Sequence, residues 1–182
     1  MSAEFTWCER NGPSLGSVTE GITNINWKAI DDTTTWYTNP SSIINAGLNS
    51  YTKWNYCTFG GAYTTIANVT FSHYAGTFGP GLSLRCQKSM VVPEDKLPGS
   101  TPTRTADNVN TTPYDLSIIG SSVQLFIGPT SPAAIGKLLL NINPGDPNLL
   151  YTNYIVTQLQ TTTAALPGDT VPITLRVEYD EN

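Results

Sequence analysis

Apolar and polar side chains alternate in short runs along this chain, and the clearest run lies near its C-terminus. Residues 173–180 alternate strictly between Ile, Leu, Val or Tyr and a polar or charged residue. This period of two is typical of a strand with one buried face. Residues 154–160 predict a second strand, with Ile155, Thr157 and Leu159 on one face, and a Pro-Gly-Asp turn at 167–169 lies between the two. The pattern predicts two strands that pair as a hairpin joined by residues 161–170.

Shorter runs of the same kind recur upstream, and most of them begin or end at Gly or Pro. They cover residues 22–27, 67–71, 82–84, 123–127 and 138–142. About eight to ten short strands with frequent turn signals indicate a sandwich or a barrel. Helix signals are nearly absent, apart from a possible single turn opened by Asn39-Pro40. We therefore expect an all-β fold, an antiparallel β-sandwich of jelly-roll type, in one domain over residues 1–182.

One segment interrupts this pattern. Residues 93–113 contain Pro93, Pro98, Pro102 and Pro113, with Thr and Asp between them. Proline cannot donate a hydrogen bond to a sheet, so the sequence predicts a long Pro-rich loop or arm here.

Composition and charge limit the classes of partner that we expect for this protein. Charged residues make up 13% of the chain, the net charge is −5, and the basic residues are scattered singly. Phosphate binding requires several convergent cations, so nucleic acid and an anionic membrane surface are not expected partners. The N-terminus lacks the pattern of a secretory signal, and no apolar stretch reaches the length of a membrane span. Cys8, Cys57 and Cys86 are accordingly expected to be free thiols in a reducing cytoplasm.

Reactive groups are too sparse to predict an enzyme. His73 is the single histidine and lies between aromatic residues, where a structural role is the usual one. No Cys-x-x-Cys pair or phosphate-binding loop occurs. Carboxylates in predicted turns could in principle form a hydrolase pair or a calcium site, but such residues usually bond their own backbone. We expect no catalytic residue, no cofactor and no metal.

Aromatic residues crowd the first third of the chain and give the only candidate site. The candidate protein-interface residues are Trp36, Tyr37, Tyr51, Trp54 and Tyr56. The segment 51–56 does not alternate, so some of these rings could be exposed and anchor a protein contact. Two alternatives stay open at this point: the rings could fill the core, or they could stack on sugars.

Several short strings resemble a known group of proteins. They are Phe5-Thr6-Trp7, Gly21-Ile22-Thr23-Asn24-Ile25-Asn26, Asn49-Ser50-Tyr51, Tyr154-Ile155-Val156, Gln158-Leu159-Gln160-Thr161-Thr162 and Tyr179-Asp180-Glu181. Their order resembles small structural proteins of tailed bacteriophage virions, of the capsid cement or decoration type. The resemblance covers both ends of the chain but not residues 93–113.

The resemblance implies a non-enzymatic protein that binds and stabilises the major capsid lattice. Its expected partners are the major capsid protein and other copies of itself, as a homotrimer. Its expected location is the capsid surface of the virion, after assembly in the host cytoplasm. A fibre, tail or receptor-binding virion module and a carbohydrate-binding domain are the alternatives, because fold and composition do not separate them.

Overall fold

A computed structural model describes residues 2–11, 17–29, 40–89, 114–125, 127–128, 149–166 and 172–182. The strands in these ranges are β1 (Ala3–Asn11), β2 (Ser17–Glu20), β3 (Lys53–Gly61), β4 (Ile66–Ala75), β5 (Leu82–Ser89), β6 (Tyr114–Asp115), β7 (Ser122–Gln124), β8 (Ile127–Gly128), β9 (Leu150–Thr152), β10 (Tyr154–Thr161) and β11 (Thr174–Glu181). The described residues contain no α-helix, only a 3-10 turn at Pro40–Ser42, and so no helix that could cross a membrane. The predicted all-β fold is confirmed.

The strands form two antiparallel sheets that pack face to face as a sandwich. The larger sheet has the order β2-β1-β3-β10-β5-β6, with β9 pairing to β3 and β8 pairing to β9. The smaller sheet has the order β11-β4-β7. In the larger sheet, β10 lies between β3 and β5, with Val156 opposite Trp54 on one side and Gln87 on the other.

The sandwich core lies between the two sheets. Phe59, Leu84 and Ile155 of the larger sheet contribute to one buried cluster with Phe71 and Val123 of the smaller sheet. Two aromatic contacts join the layers. The Trp7 and Phe71 rings stack at 5.6 Å between centroids, and Phe59 meets Tyr179 edge-on at 4.8 Å. Such ring pairs stabilise a core beyond their buried area.

The larger sheet is buried on its second face as well. Trp54, Tyr56, Tyr154 and Val156 point away from the smaller sheet and form a separate buried cluster with Cys8 and Tyr151. Every residue of β10 from Tyr154 to Leu159 is therefore buried. A strand covered on both faces needs no polar alternation, which explains why residues 51–56 do not alternate in the sequence.

The predicted strands at 67–71, 82–84, 154–160 and 173–180 are confirmed as parts of β4, β5, β10 and β11. The predicted hairpin of the last two is wrong. β10 is already paired on both sides by β3 and β5, so β11 crosses to the other sheet and pairs with β4.

Two further strand predictions also need correction. Residues 22–27 form no strand; their place is fixed by the Ile22 amide, which donates to the Trp7 carbonyl at 3.1 Å. The run 123–127 is divided between β7 of the smaller sheet and β8 of the larger one. The Pro-rich arm at 93–113 and the strand at 138–142 lie outside the described residues. The jelly-roll topology and the single domain stay predictions.

Candidate protein-contact surface

The structure places three of the five predicted interface residues in the core. Tyr51, Trp54 and Tyr56 are 3%, 2% and 2% exposed. The Trp54 and Tyr56 rings both meet Tyr154 edge-on at 5.6 Å between centroids. Contacts within the chain thus cover these three rings, which agrees with the alternative that the rings fill the core. Trp36 and Tyr37 lie outside the described residues.

The three cysteines are free and buried. Burial raises the pKa of Cys8 to about 11, although the neighbouring Tyr56 side chain lowers it in part through a hydrogen bond. Burial also raises the pKa values of Cys57 and Cys86. A thiol held in its protonated form is a poor nucleophile and metal ligand. The cysteines therefore behave as small apolar core residues.

His73 is likewise a core residue. It is fully buried, and its Nε2 lies 3.2 Å from the Ala75 carbonyl oxygen. Its ring meets the Phe78 ring edge-on at 5.4 Å. Both backbone groups of His73 bond to the turn at 118–121, since its amide donates to Ser121 and its carbonyl accepts from Gly120. The residue joins β4 to that turn.

The described carboxylates at the C-terminal end of β11 and on β6 hold neighbouring parts of the chain, while the carboxylates predicted in turns lie outside the described residues. Glu181 accepts a hydrogen bond from the Ala3 amide at 2.8 Å, and Asp180 accepts one from the Asn68 amide group. Asp115 forms an ion pair with Arg85 at 2.8 Å. Within the described part of the chain, no three His, Cys, Asp or Glu residues converge as a metal site would require.

One end of the sandwich carries a different kind of surface. Four described loops meet there: residues 40–50 before β3, 76–81 between β4 and β5, 117–121 between β6 and β7, and 162–166 after β10. Neighbouring strands of the larger sheet are antiparallel. The start of β3, the end of β10, the start of β5 and the end of β6 therefore lie at the same edge.

Hydrogen bonds connect these loops into a row. The Thr161 hydroxyl donates to the Leu48 carbonyl at 2.7 Å, and the Thr162 amide donates to the Gly81 carbonyl at 2.8 Å. The Leu84 amide at the start of β5 donates to the Ser117 hydroxyl at 2.9 Å. Adjacent strands are about 4.8 Å apart, so the row crosses the end of the sheet without a gap.

The row combines exposed apolar side chains with an absence of charge. None of the residues in the four loops is Asp, Glu, Lys or Arg. Nine large hydrophobic side chains are exposed in the described part of the chain, and five of them lie on these loops. These five residues, which we call the apolar end, are Ile43, Leu48, Ile118, Ile119 and Leu166. Ile118 and Leu166 are the most exposed, at 70% and 77%.

The loops of the apolar end have a fixed shape. Gly81 has a φ of +75° and packs directly against the backbone of Ala164 and Ala165. Gly120 has a φ of +89°, which sets the turn that presents Ile118 and Ile119. Glycine adopts such angles without the steric penalty other residues meet. A surface that is already ordered loses less entropy when it binds.

None of the protein-family models, curated proteins or solved structures compared with this chain matches it. The properties of the apolar end therefore carry the functional argument. Monomeric soluble proteins rarely expose large contiguous apolar patches, and charge depletion is characteristic of the centre of protein interfaces.

Sequence reasoning missed this surface because its members are far apart in the chain and each looks ordinary alone. Ile43 and Leu166 are separated by most of the sequence, and only the strand order brings their loops together. A signal was nevertheless present. Ile43-Ile44 and Ile118-Ile119 are apolar pairs inside segments of turn-forming residues, where exposure is expected because loops run over the surface.

Proposed function

We propose that this protein is a non-enzymatic structural protein that binds another protein surface through its apolar end. The observation that carries this proposal is the row of four uncharged loops bearing five exposed apolar side chains. Apolar area that is removed from water contributes about 1–2 kcal/mol for each such side chain. Five of them contribute about 5–10 kcal/mol, and the ordered loops reduce the entropy that is lost on association.

In its specific form, the proposal is a cement or decoration protein of a tailed bacteriophage capsid. The resemblance of both chain ends to virion proteins supports this choice, as does an all-β fold with little charge. The partners would be the major capsid protein and other copies of the chain on the capsid surface. Binding of this kind needs no cofactor, because burial of apolar area supplies the free energy.

The apolar end would face the capsid, since its four loops carry no charged residue. The outer face of the smaller sheet carries Arg176 and Glu178, whose side chains are 41% and 51% exposed, and would face solvent or other copies. This orientation places the hydrophobic contact at the lattice and the charged groups away from it.

The test is co-sedimentation with particles assembled from the major capsid protein encoded in the same genome. The variant is the double substitution Ile118→Ser and Ile119→Ser, which removes two exposed side chains and leaves the Gly120 turn in place. We expect particle binding to weaken by about tenfold or more, since 1.4 kcal/mol corresponds to one factor of ten. The matched control is Val18→Ser, an exposed apolar residue on β2, which should bind like the parent protein.

Circular dichroism of all three proteins establishes that the fold is unchanged. Equal particle binding by the parent and the double variant would remove the apolar end from the mechanism. If the parent protein ignores capsid particles but binds defined sugars on a glycan array, the carbohydrate-binding alternative replaces this proposal.

A further inference from the structure

The edge of the smaller sheet points to a second contact, separate from the apolar end. β11 is the first strand in the order β11-β4-β7, and no strand among the described residues pairs with its outer side. It is eight residues long. An edge of this length presents a row of backbone donors and acceptors to any strand that matches it.

The backbone hydrogen bonds of β4 show which residues of β11 direct their own backbone groups to that open side. The His73 amide donates to Ser121, and the Val69 carbonyl accepts from Leu125, so these residues of β4 bond toward β7. Alternate residues bond to opposite neighbours, and Thr70 and Ser72 therefore bond toward β11, opposite Glu178 and Arg176.

It follows that Arg176 and Glu178 use their backbone groups within the sheet. Leu175, Val177 and Tyr179 direct theirs to the open edge, while their side chains pack against the core. An incoming strand can thus pair with β11 without disturbing the interior. The side chains of Arg176 and Glu178 remain on the outer face, partly exposed.

We propose that β11 pairs with β11 of a second copy of this chain, antiparallel and centred on Val177. A two-fold axis at Val177 places Arg176 of each copy opposite Glu178 of the other. This register is self-complementary because, in an antiparallel pair centred on residue 177, position 176 of each strand faces position 178 of the other. Opposite charges that face each other directly across strands stabilise the pairing.

The charges are positioned for this contact before it forms. The Arg176 guanidinium lies over the Tyr74 ring, 3.9 Å from its centroid, and its Nη2 is 2.8 Å from the Glu178 carboxylate of the same strand. In the pair of copies, each guanidinium would lie beside two carboxylates, one from each strand. Four alternating charges across the two-fold axis form a network, which is more stabilising than an isolated exposed pair.

Charge reversal followed by mixing tests the proposal. Sedimentation velocity of the full chain should show a concentration-dependent dimer. Arg176→Glu and Glu178→Arg should each weaken the dimer by about tenfold or more, because each creates two like-charge pairs across the axis. Both altered side chains are partly exposed, and circular dichroism establishes that the variants fold.

The decisive sample is an equimolar mixture of the two variants. One copy then carries two carboxylates and the other two cations, so opposite charges face each other only between copies. The mixture should recover dimerisation, and rescue of this kind cannot come from contacts within one chain. If a reversal variant unfolds, Arg176→Gln and Glu178→Gln take its place, with an expected weakening of about threefold each.

Three outcomes would overturn the proposal: a monomer at every concentration, a self-association that both reversals leave unchanged, or a mixture that stays monomeric. A homotrimer, the assembly that the resemblance implies, closes through a heterologous contact and has a different mass, so its detection is a fourth outcome that would overturn this pairing. The result is independent of the proposed capsid contact, because the variants that test that contact alter the apolar end and leave β11 intact.

Discussion

Gly81 and Ala165 are in backbone contact, with no space between them for a side chain. A Cβ atom added to Gly81 would lie 2.5 Å from the Ala165 nitrogen and 2.7 Å from the Thr162 hydroxyl oxygen. The loops 76–81 and 162–166 are thereby fixed to each other, and Leu166 is held at the end of the sandwich. The shape of the apolar end depends on this contact.

The first prediction concerns that contact. Gly81→Ala should lower the free energy of unfolding by about 2–4 kcal/mol, because the new methyl group meets backbone atoms and φ is positive. Gly21→Ala is the control, since Gly21 also has a positive φ of +66° but has no atom within 4 Å of an added Cβ. It should lower stability by about 1 kcal/mol. Urea unfolding of both variants makes the comparison, and equal losses would contradict the crowding of Gly81.

The second prediction tests the core position of the predicted interface aromatics. Trp54→Ala should destabilise the protein by about 3–5 kcal/mol, since it leaves a large cavity beside Tyr154. Ile119→Ala, on an exposed side chain, should change stability by less than about 0.5 kcal/mol. Thermal and urea unfolding measure both. A small loss for Trp54→Ala would mean that the ring is not packed as the structure shows.

The third prediction concerns a bond that joins an irregular segment to the centre of the larger sheet. The Trp27 indole Nε1 donates to the Thr157 hydroxyl at 3.1 Å, and Thr157 is fully buried. In a double-mutant cycle of Trp27→Phe and Thr157→Val, the coupling free energy should be about 1 kcal/mol. Additive effects of the two substitutions would show that the bond contributes nothing to stability.

The fourth prediction concerns stability at alkaline pH. Burial raises the pKa of Cys8 from 9.0 to about 11, so the folded state keeps a proton that the unfolded state releases in this interval. The contribution of this thiol to the free energy of unfolding is fully present below pH 9. It decreases by about 2 kcal/mol as the pH rises toward 11. Urea midpoints measured across this range should fall less steeply for Cys8→Ala than for the parent. Urea midpoints that fall equally steeply with pH in both proteins would contradict the raised pKa of Cys8.

The sequence predicts the position of a strand correctly when one face of that strand is buried and the other is exposed. The run 173–180 alternates because β11 has this environment, and its limits were predicted within one residue. β10 was located as well, although its strict alternation is absent. The all-β class followed from these runs and from the turn residues between them.

Strand partners could not be predicted, because pairing depends on which edges are still open when distant segments meet. Nothing in residues 154–161 indicates that β10 lies between β3 and β5. The burial of three candidate interface residues could not be predicted for a related reason. Tyr51, Trp54 and Tyr56 do not alternate because the larger sheet is covered on both faces, a pattern that exposed rings would also give.

The late position of β10 and β11 in the chain determines when the protein can fold. Lys53 pairs with Thr157 and His73 pairs with Leu175, so both sheets close through contacts between residues about a hundred positions apart. Topologies dominated by such distant contacts fold slowly. During synthesis, β3, β4 and β5 emerge long before their partners and expose apolar surface and strand edges, which favour aggregation. Synthesis must pass residue 161 before the larger sheet is complete and residue 181 before the smaller one is, and a chain that stops before residue 150 lacks β10 of one sheet and β11 of the other.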